Sequence, residues 1–324
     1  AVDSPAAKAL SAAVLWTAIE FFRCEVFLLR FTWMTPGLAM GPVWLTPIVG
    51  VYGVSFVVFT VSALLYYKRT RCAGAFLGLL LLLLGFIRPG RIDPGSNAMK
   101  VGAVQSESCS LQTYVSMTRK LKQEHPVLIV WPEYAVPYDI RANNPKSLAE
   151  IVDLAREMDT TIVFGTKTQV NEKRGKWYNT ALVVNDAGVV GEYYKNYPVH
   201  FFNDGMPGRM SLVETPLGKM GTPICFDFDY TLLMRRMTVD GAEFFAVPSF
   251  DAKGWSVTQH EQHSAILPIR AAENGRWVVC AASSGISQII DPHGNIHHSL
   301  APMKEGAIIG AIEPVKRITL YTRI

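Results

Sequence analysis

The chain has 324 residues and a formal net charge of +4, with no basic run interleaved with aromatics, which excludes a nucleic-acid partner. Hydrophobic residues make up 49% and charged residues only 18%, below the roughly one quarter of an ordinary soluble domain. The apolar excess is concentrated in residues 7–87, and the remainder has the composition of one globular domain.

Residues 7–31 and 44–67 are largely apolar and reach the ~20 residues that a bilayer span needs. A third, Leu-rich run covers residues 72–87 and is short for a span. It reads as a span rather than a core helix, because the leucines of 79–84 would cover a helix on all sides. Lys68, Arg69 and Arg71 between the second and third runs place that loop in the cytoplasm. Everything after Arg88 then falls on the far side, periplasmic in a bacterium. Glu20 and Arg23, three residues apart in the first run, read either as a structural pair or as a headgroup-binding pair. The start does not read as a signal peptide. Residues 1–90 are therefore expected to form a transmembrane helical region of about three spans, and 91–98 a Pro/Gly-rich linker.

Residues 99–324 form the second unit, where short β-branched runs alternate with helical stretches. Strands are expected at 100–105, 127–131, 161–165, 243–247, 277–282 and 286–290, with a hairpin of 180–185 and 189–194 and a strand end at 222–225. Helices are expected at 110–124, 147–158, 232–240 and 259–274. The pattern implies a layered α/β sandwich.

Three residues stand at the ends of strand-like runs: Glu133 in Trp131-Pro132-Glu133, Lys195 after Tyr193-Tyr194, and Cys225 in Pro223-Ile224-Cys225. A thiol becomes a good nucleophile when one group takes its proton and another stabilises the charge that forms. Glu133 suits the first task and Lys195 the second. Cys24, Cys72, Cys109 and Cys280 read as structural thiols, and the odd count of five without CxxC argues against a zinc site or disulfide framework. His260 and His263 read as structural or channel-lining, since no third ligand motif lies near them. His293, His297 and His298 are expected at an exposed turn, and Glu273 and Arg276 as buried scaffold. No metal or cofactor is expected.

In order along the chain come Trp131-Pro132-Glu133, Gly165-Thr166, Tyr178-Asn179-Thr180, Tyr194-Lys195, Ile224-Cys225-Phe226-Asp227, Arg270-Ala271-Ala272-Glu273 and Asp291-Pro292-His293-Gly294. This ordered set resembles the nitrilase, or carbon–nitrogen hydrolase, superfamily. The apolar beginning, with Trp16 to Arg23, Phe31-Thr32-Trp33 and Gly50 to Phe56, resembles its apolipoprotein N-acyltransferase branch. The resemblance implies an α-β-β-α sandwich on a membrane-embedded helical base, with some N- and C-terminal transmembrane helices of the family lacking. It also implies a multi-pass protein of the bacterial inner membrane and a ping-pong acyl transfer. In that scheme Cys225 takes an acyl chain from a phospholipid, phosphatidylethanolamine being the expected donor. The thioester passes it to the amine of a diacylglyceryl-cysteine lipoprotein. Glu133 serves as base, with Lys195 and the Phe226 N–H on the oxyanion. Trp131, Tyr134, Phe226 and Asp227 are expected around the substrate. One departure stands out: the family's second catalytic Glu falls by counting on Asn203, with Asp204 adjacent, and Asp204 is the expected substitute. The alternatives are a membrane-tethered amidase using the same three residues, and a silent scaffold.

Overall fold

The computed structural model describes residues 4–86, 89–171 and 175–324. Its N-terminal part holds α1 (Pro5–Phe21), a π-helical turn (Phe22–Val26), α2 (Pro36–Met40), α3 (Thr46–Tyr66) and α4 (Arg71–Phe86). The three expected apolar runs are thus helical, with corrections. The first does not continue as helix to Phe31: it ends through the π turn, and the chain then runs irregularly to Thr35. Arg23 donates to the carbonyls of Phe31 and Trp33, so it braces this irregular stretch. Buried Glu20 keeps an Oε1 without a partner among the described residues. Among the described residues only α3 is long and apolar enough to cross a membrane by length and composition. The helices α1 and α4 have 17 and 16 residues and fall just short. Leu79, Leu80, Leu82 and Leu83 are exposed on α4, so that helix does not serve as a core element. Ile87 and Arg88 lie outside the described residues.

The rest is a four-layer sandwich. One six-stranded sheet contains β1 (Met99–Gln105), β2 (Leu128–Val130), β3 (Thr161–Asn171), β4 (Lys176–Asn185), β5 (Gly188–Tyr194) and β12 (Gly306–Ile312), in the order β12-β1-β2-β3-β4-β5. The other contains β6 (Val213–Thr215), β7 (Gly218–Gly221), β8 (Phe244–Ser249), β9 (Trp277–Ala282), β10 (Ser287–Ile290) and β11 (Ile296–Leu300), paired consecutively. Both are mixed: β1-β2-β3 and β7-β8-β9 run parallel, and the flanks pair antiparallel. The inner faces close on one another through Val101, Val130, Val163, Ala181, Phe245, Val247 and Val279. Helices α5 (Leu111–Lys120) and α7 (Pro145–Met158), with the one-turn α6 (Ile140–Asn143) between them, cover the outside of the first sheet through Tyr114, Ile151 and Leu154. On the second sheet α8 (Thr231–Val239) and α10 (Ile266–Asn274) do the same, with α9 (Val257–Ser264) leading into α10. The expected helix at 259–274 is thus two helices joined at Ala265. The strands β6, β7, β11 and β12 were not expected: β6 and β7 have three and four residues, and β11 and β12 are half-exposed edge elements.

Three contacts seat the helical part on the sandwich. A glycine at Gly50, with φ +67°, interrupts α3 and frees the Val51 N–H, which donates to Glu273 Oε1 at 2.7 Å. Buried Glu25, in the π turn, accepts from the Thr231 N–H, the Thr231 hydroxyl and the Tyr52 hydroxyl on its Oε1. Trp33 Nε1 donates to Asp229 Oδ2 at 2.8 Å. Residues 89–98 carry no regular structure and are pinned to the sandwich by Ile92 N on Asp291 and Gly95 N on Glu313. Glu273, as expected, is a scaffold group. Arg276 likewise donates to the carbonyls of Ala242, Asn274, Gly275 and Arg317. His297 is not at the surface as expected, since it lies on Asp291.

Glu25→Ala leaves three buried donors without an acceptor, each costing about 1–3 kcal/mol. The variant is expected to unfold several degrees below the parent in detergent, by circular dichroism, and an unchanged melting temperature would contradict this seating.

Candidate active site

The strand β2 runs straight into Trp131-Pro132-Glu133, held by Gly165 N on the Pro132 carbonyl at 3.1 Å. A Cβ at Gly165 would come within 2.5 Å of Glu133 Cα and Tyr134 N, so only glycine lets the two segments meet. The next residue, Tyr134, sits in the left-handed region with φ 56°. Lys195 follows β5, its N–H on the Asn179 carbonyl at 2.9 Å. Cys225 was expected on a strand end but is the first residue of a 3₁₀ turn, Cys225–Asp229, with φ 48°. A non-glycine residue in that region is strained and is held there by its surroundings.

Lys195 is 1% exposed, and its ammonium lies 2.8 Å from Glu133 Oε1 and 2.7 Å from Asp204 Oδ2. Asn179 Nδ2 reaches Glu133 Oε1 at 2.6 Å and Asp204 Oδ1 at 2.7 Å. Tyr134 donates its hydroxyl to Asp204 Oδ1, and the Val199 N–H donates to Oδ2. Two carboxylates thus hold the lysine, and Asp204 is the second of them. The neighbouring Asn203 is exposed.

Glu133, Tyr134, Lys195, Asn203, Asp204 and Cys225 all line one cavity of about 400 Å³, walled by Tyr114, Phe202, Phe250 and Trp255. Burial raises the Glu133 carboxyl above its usual range; Lys195 opposes this and Asp204 adds to it. Burial alone would lower Lys195, but its carboxylates hold it well above the ordinary lysine range. Burial likewise raises Asp204, but Lys195 and its hydrogen bonds win and hold it below. The Cys225 thiol is pushed well up, first by burial and then by Glu133, so it rests protonated. Its Sγ lies 3.7 Å from the Phe250 carbonyl. A buried thiol beside a carboxylate of raised proton affinity suits base-assisted nucleophilic attack.

Three expected substrate contacts are corrected. Trp131 is fully buried, stacked on Tyr114 and donating to Thr118, so it belongs to the core. The Phe226 ring packs edge-on against Tyr230 rather than into the cavity. Asp227 is buried beneath the site and accepts from Tyr193 OH, Asn196 N, Tyr197 N and Ile224 N. Those bonds fasten the turn of Cys225 to the exit of β5 that carries Lys195; burial raises this carboxyl to about 6. Tyr134 does line the cavity. Cys109, read as structural, is exposed and lines the cavity too.

One support, Asn179, went unread in the sequence, and another, His263, was read as structural without its partners. Asn179 stood inside a quoted motif without a role. His263, on α9, bridges Asp251 Oδ1 at 2.5 Å and Asp229 Oδ1 at 3.6 Å, and stacks on Trp33. Asp229 ends the turn that Cys225 begins, and Asp251 follows Phe250. His263 therefore clamps both segments around the thiol to the helical part.

The chain matches the carbon–nitrogen hydrolase family over residues 100–319 and the apolipoprotein N-acyltransferase N-terminal domain over residues 2–64. Among solved structures it is similar to Nit3 of Saccharomyces cerevisiae, with TM-score 0.58 and 22% identity over 68% of this chain and 91% of that one. An amidase from Nesterenkonia sp. gives TM-score 0.57 and 19% identity over 70% and 94%. The chain belongs to the carbon–nitrogen hydrolase family. Among curated relatives, the apolipoprotein N-acyltransferase of Azotobacter vinelandii is 28% identical over 99% of this chain and 70% of its own length. That of a Pseudomonas aeruginosa strain is 26% identical over 98% and 70%. The two family matches and these relatives together make the chain an enzyme of the N-acyltransferase branch.

Two carboxylates outweigh burial and hold His263 well above the usual histidine range. A raised folded-state value stabilises fully below the unfolded value of about 6.5 and fades as pH rises through the folded value. His263→Asn should therefore lower the melting temperature more at about pH 6 than at about pH 10; an equal gap at both would contradict the clamp.

Proposed function

We propose that the protein transfers a fatty acyl chain from a phospholipid to the N-terminal amine of a diacylglyceryl-cysteine lipoprotein through a thioester on Cys225. The observation that carries this reading is one cavity, mostly apolar in its walls, that brings Cys225 together with Lys195 and its two carboxylates. The names of the curated relatives support lipoprotein N-acylation as the outcome.

In the first half-reaction Glu133 takes the Cys225 proton as sulfur attacks the ester carbonyl. An ammonium has three donors. Two of those of Lys195 meet Glu133 and Asp204, and the third is available to the oxyanion, with the Phe226 N–H at the start of the 3₁₀ turn as its second donor. The C–O bond breaks, the glycerol oxygen takes the proton back from Glu133, and lysophospholipid leaves. In the second half-reaction the lipoprotein amine attacks the thioester and Glu133 accepts its proton. The C–S bond breaks and the thiolate is reprotonated. The role assigned to the family's second Glu falls to Asp204, which keeps Lys195 charged and aimed.

Residues 1–90 form the membrane base in this reading, 91–98 the linker and 99–324 the catalytic domain facing the periplasm of a bacterial inner membrane. The exposed Leu10, Leu15, Trp16 and Ile19 of α1 and Leu79, Leu82 and Leu83 of α4 suit lipid contact. Exposed Phe201 and Phe202 next to the cavity suit entry of an acyl chain from the bilayer.

Intact-protein mass spectrometry after incubation with phosphatidylethanolamine should show one added acyl mass in the wild type and none in Cys225→Ala. Release of the acyl group to water rather than to a lipopeptide would favour the amidase reading instead. Asp204→Ala should slow thioester formation about 100-fold or more, and full activity in that variant would remove Asp204 from the mechanism.

A further inference from the structure

Along β3 the residues Val163, Gly165 and Lys167 alternate onto the inner face of the first sheet, where Val163 joins the core between the sheets. The alternation therefore delivers an ammonium to the face on which the site is built. Lys167 pairs in register with Asn179 of β4, whose side chain touches Glu133 and Asp204, and Trp177 lies two residues along the same face. The Lys167 ammonium sits 4.5 Å from the Trp177 ring centre and 5.6 Å from that of Tyr134, and the side chain lines the cavity of Cys225. The cavity's other lysine, Lys195, is matched by two carboxylates. Lys167 has no carboxylate partner among the described residues. Two rings hold it in place without neutralising it.

We propose that Lys167 is the anion-recognising group of this cavity and holds the phosphodiester of the acyl donor while its ester carbonyl meets Cys225. The inference rests on the phospholipid reading above and deepens it. A phosphate suits a partly buried point charge. The lipoprotein acceptor attacks as a neutral amine and brings no phosphodiester to this subsite, so the lysine serves the first half-reaction and not the second. No bond is made or broken at Lys167.

The test compares thioester formation on the full chain in detergent, by single-turnover mass spectrometry, with two donors: phosphatidylethanolamine and the uncharged ester p-nitrophenyl palmitate. Lys167→Gln should slow acylation by the phospholipid about ten- to a hundredfold while acylation by the uncharged ester changes far less. Lys167→Arg should retain the phospholipid rate. Once the thioester has formed, its transfer to a lipopeptide should be the same in Lys167→Gln as in the parent. Equal slowing with both donors would mean that the lysine shapes the cavity and would overturn the proposal, as would no slowing with either. Competition by inorganic phosphate in the wild type, with no donor effect of Lys167→Gln, would assign the lysine to free anions and overturn the donor assignment. A wild type acylated by the uncharged ester alone would overturn the inference with the thioester chemistry intact. A wild type acylated by neither would remove the thioester reading itself.

Discussion

The site depends on a buried ammonium held between two carboxylates. Lys195 is almost entirely out of solvent, where an unpaired charge would cost several kcal/mol. Glu133 and Asp204 offset that cost, and each is fixed in turn: Glu133 by the close approach of Gly165, Asp204 by Tyr134, Asn179 and the Val199 N–H. One excess negative charge remains in the cluster. Burial raises both the Glu133 carboxyl and the thiol, with Asp204 adding to the first and Glu133 to the second, so the resting site stores its proton on sulfur. In the proposed mechanism, attack then needs the carboxylate and the oxyanion donors in place together, which ties reactivity to a correctly seated substrate.

A second layer of polar contacts connects that cluster to the N-terminal helices. The turn that starts at Cys225 ends at Asp229, which takes bonds from Trp33 and meets His263, while its carbonyl accepts from Arg270. Arg270 pairs with Glu273, and Glu273 caps the break in α3 at Gly50. Cys225 is therefore positioned partly by residues of the helical part, and a shift of that part relative to the sandwich would be felt at the thiol.

The sandwich was legible in the sequence because its central strands are continuous apolar runs and its helices carry the 3.6 period. The edge strands β6 and β11 are short and lack either signal, and the apolar run of β12 is broken by glycine and half-exposed. The meeting of Glu133, Lys195 and Cys225 in one cavity was legible from residue type and order. Asp204 was legible only as a neighbour of the counted position, because loop geometry after β5, not spacing, decides which side chain turns inward. Trp131 and Asp227 misled for the same reason: adjacency to a site residue says nothing about which way a side chain faces once the strand has ended. His263 was visible as a residue but not as a clamp, since its two carboxylates lie 12 and 34 positions away in the chain. The first apolar run shows the opposite limit: composition alone made that span too long, where a π turn and Arg23 end it.

The central claim is that the carboxylate at position 204, and not position 203, completes the charge cluster around Lys195. The most direct measurement is the single-turnover rate of thioester formation in the exchange variant Asn203→Glu with Asp204→Asn, beside Asp204→Asn alone. Both should be slowed alike, because residue 203 is exposed and its side chain does not reach the ammonium. Recovery of the parent rate in the exchange variant would contradict it.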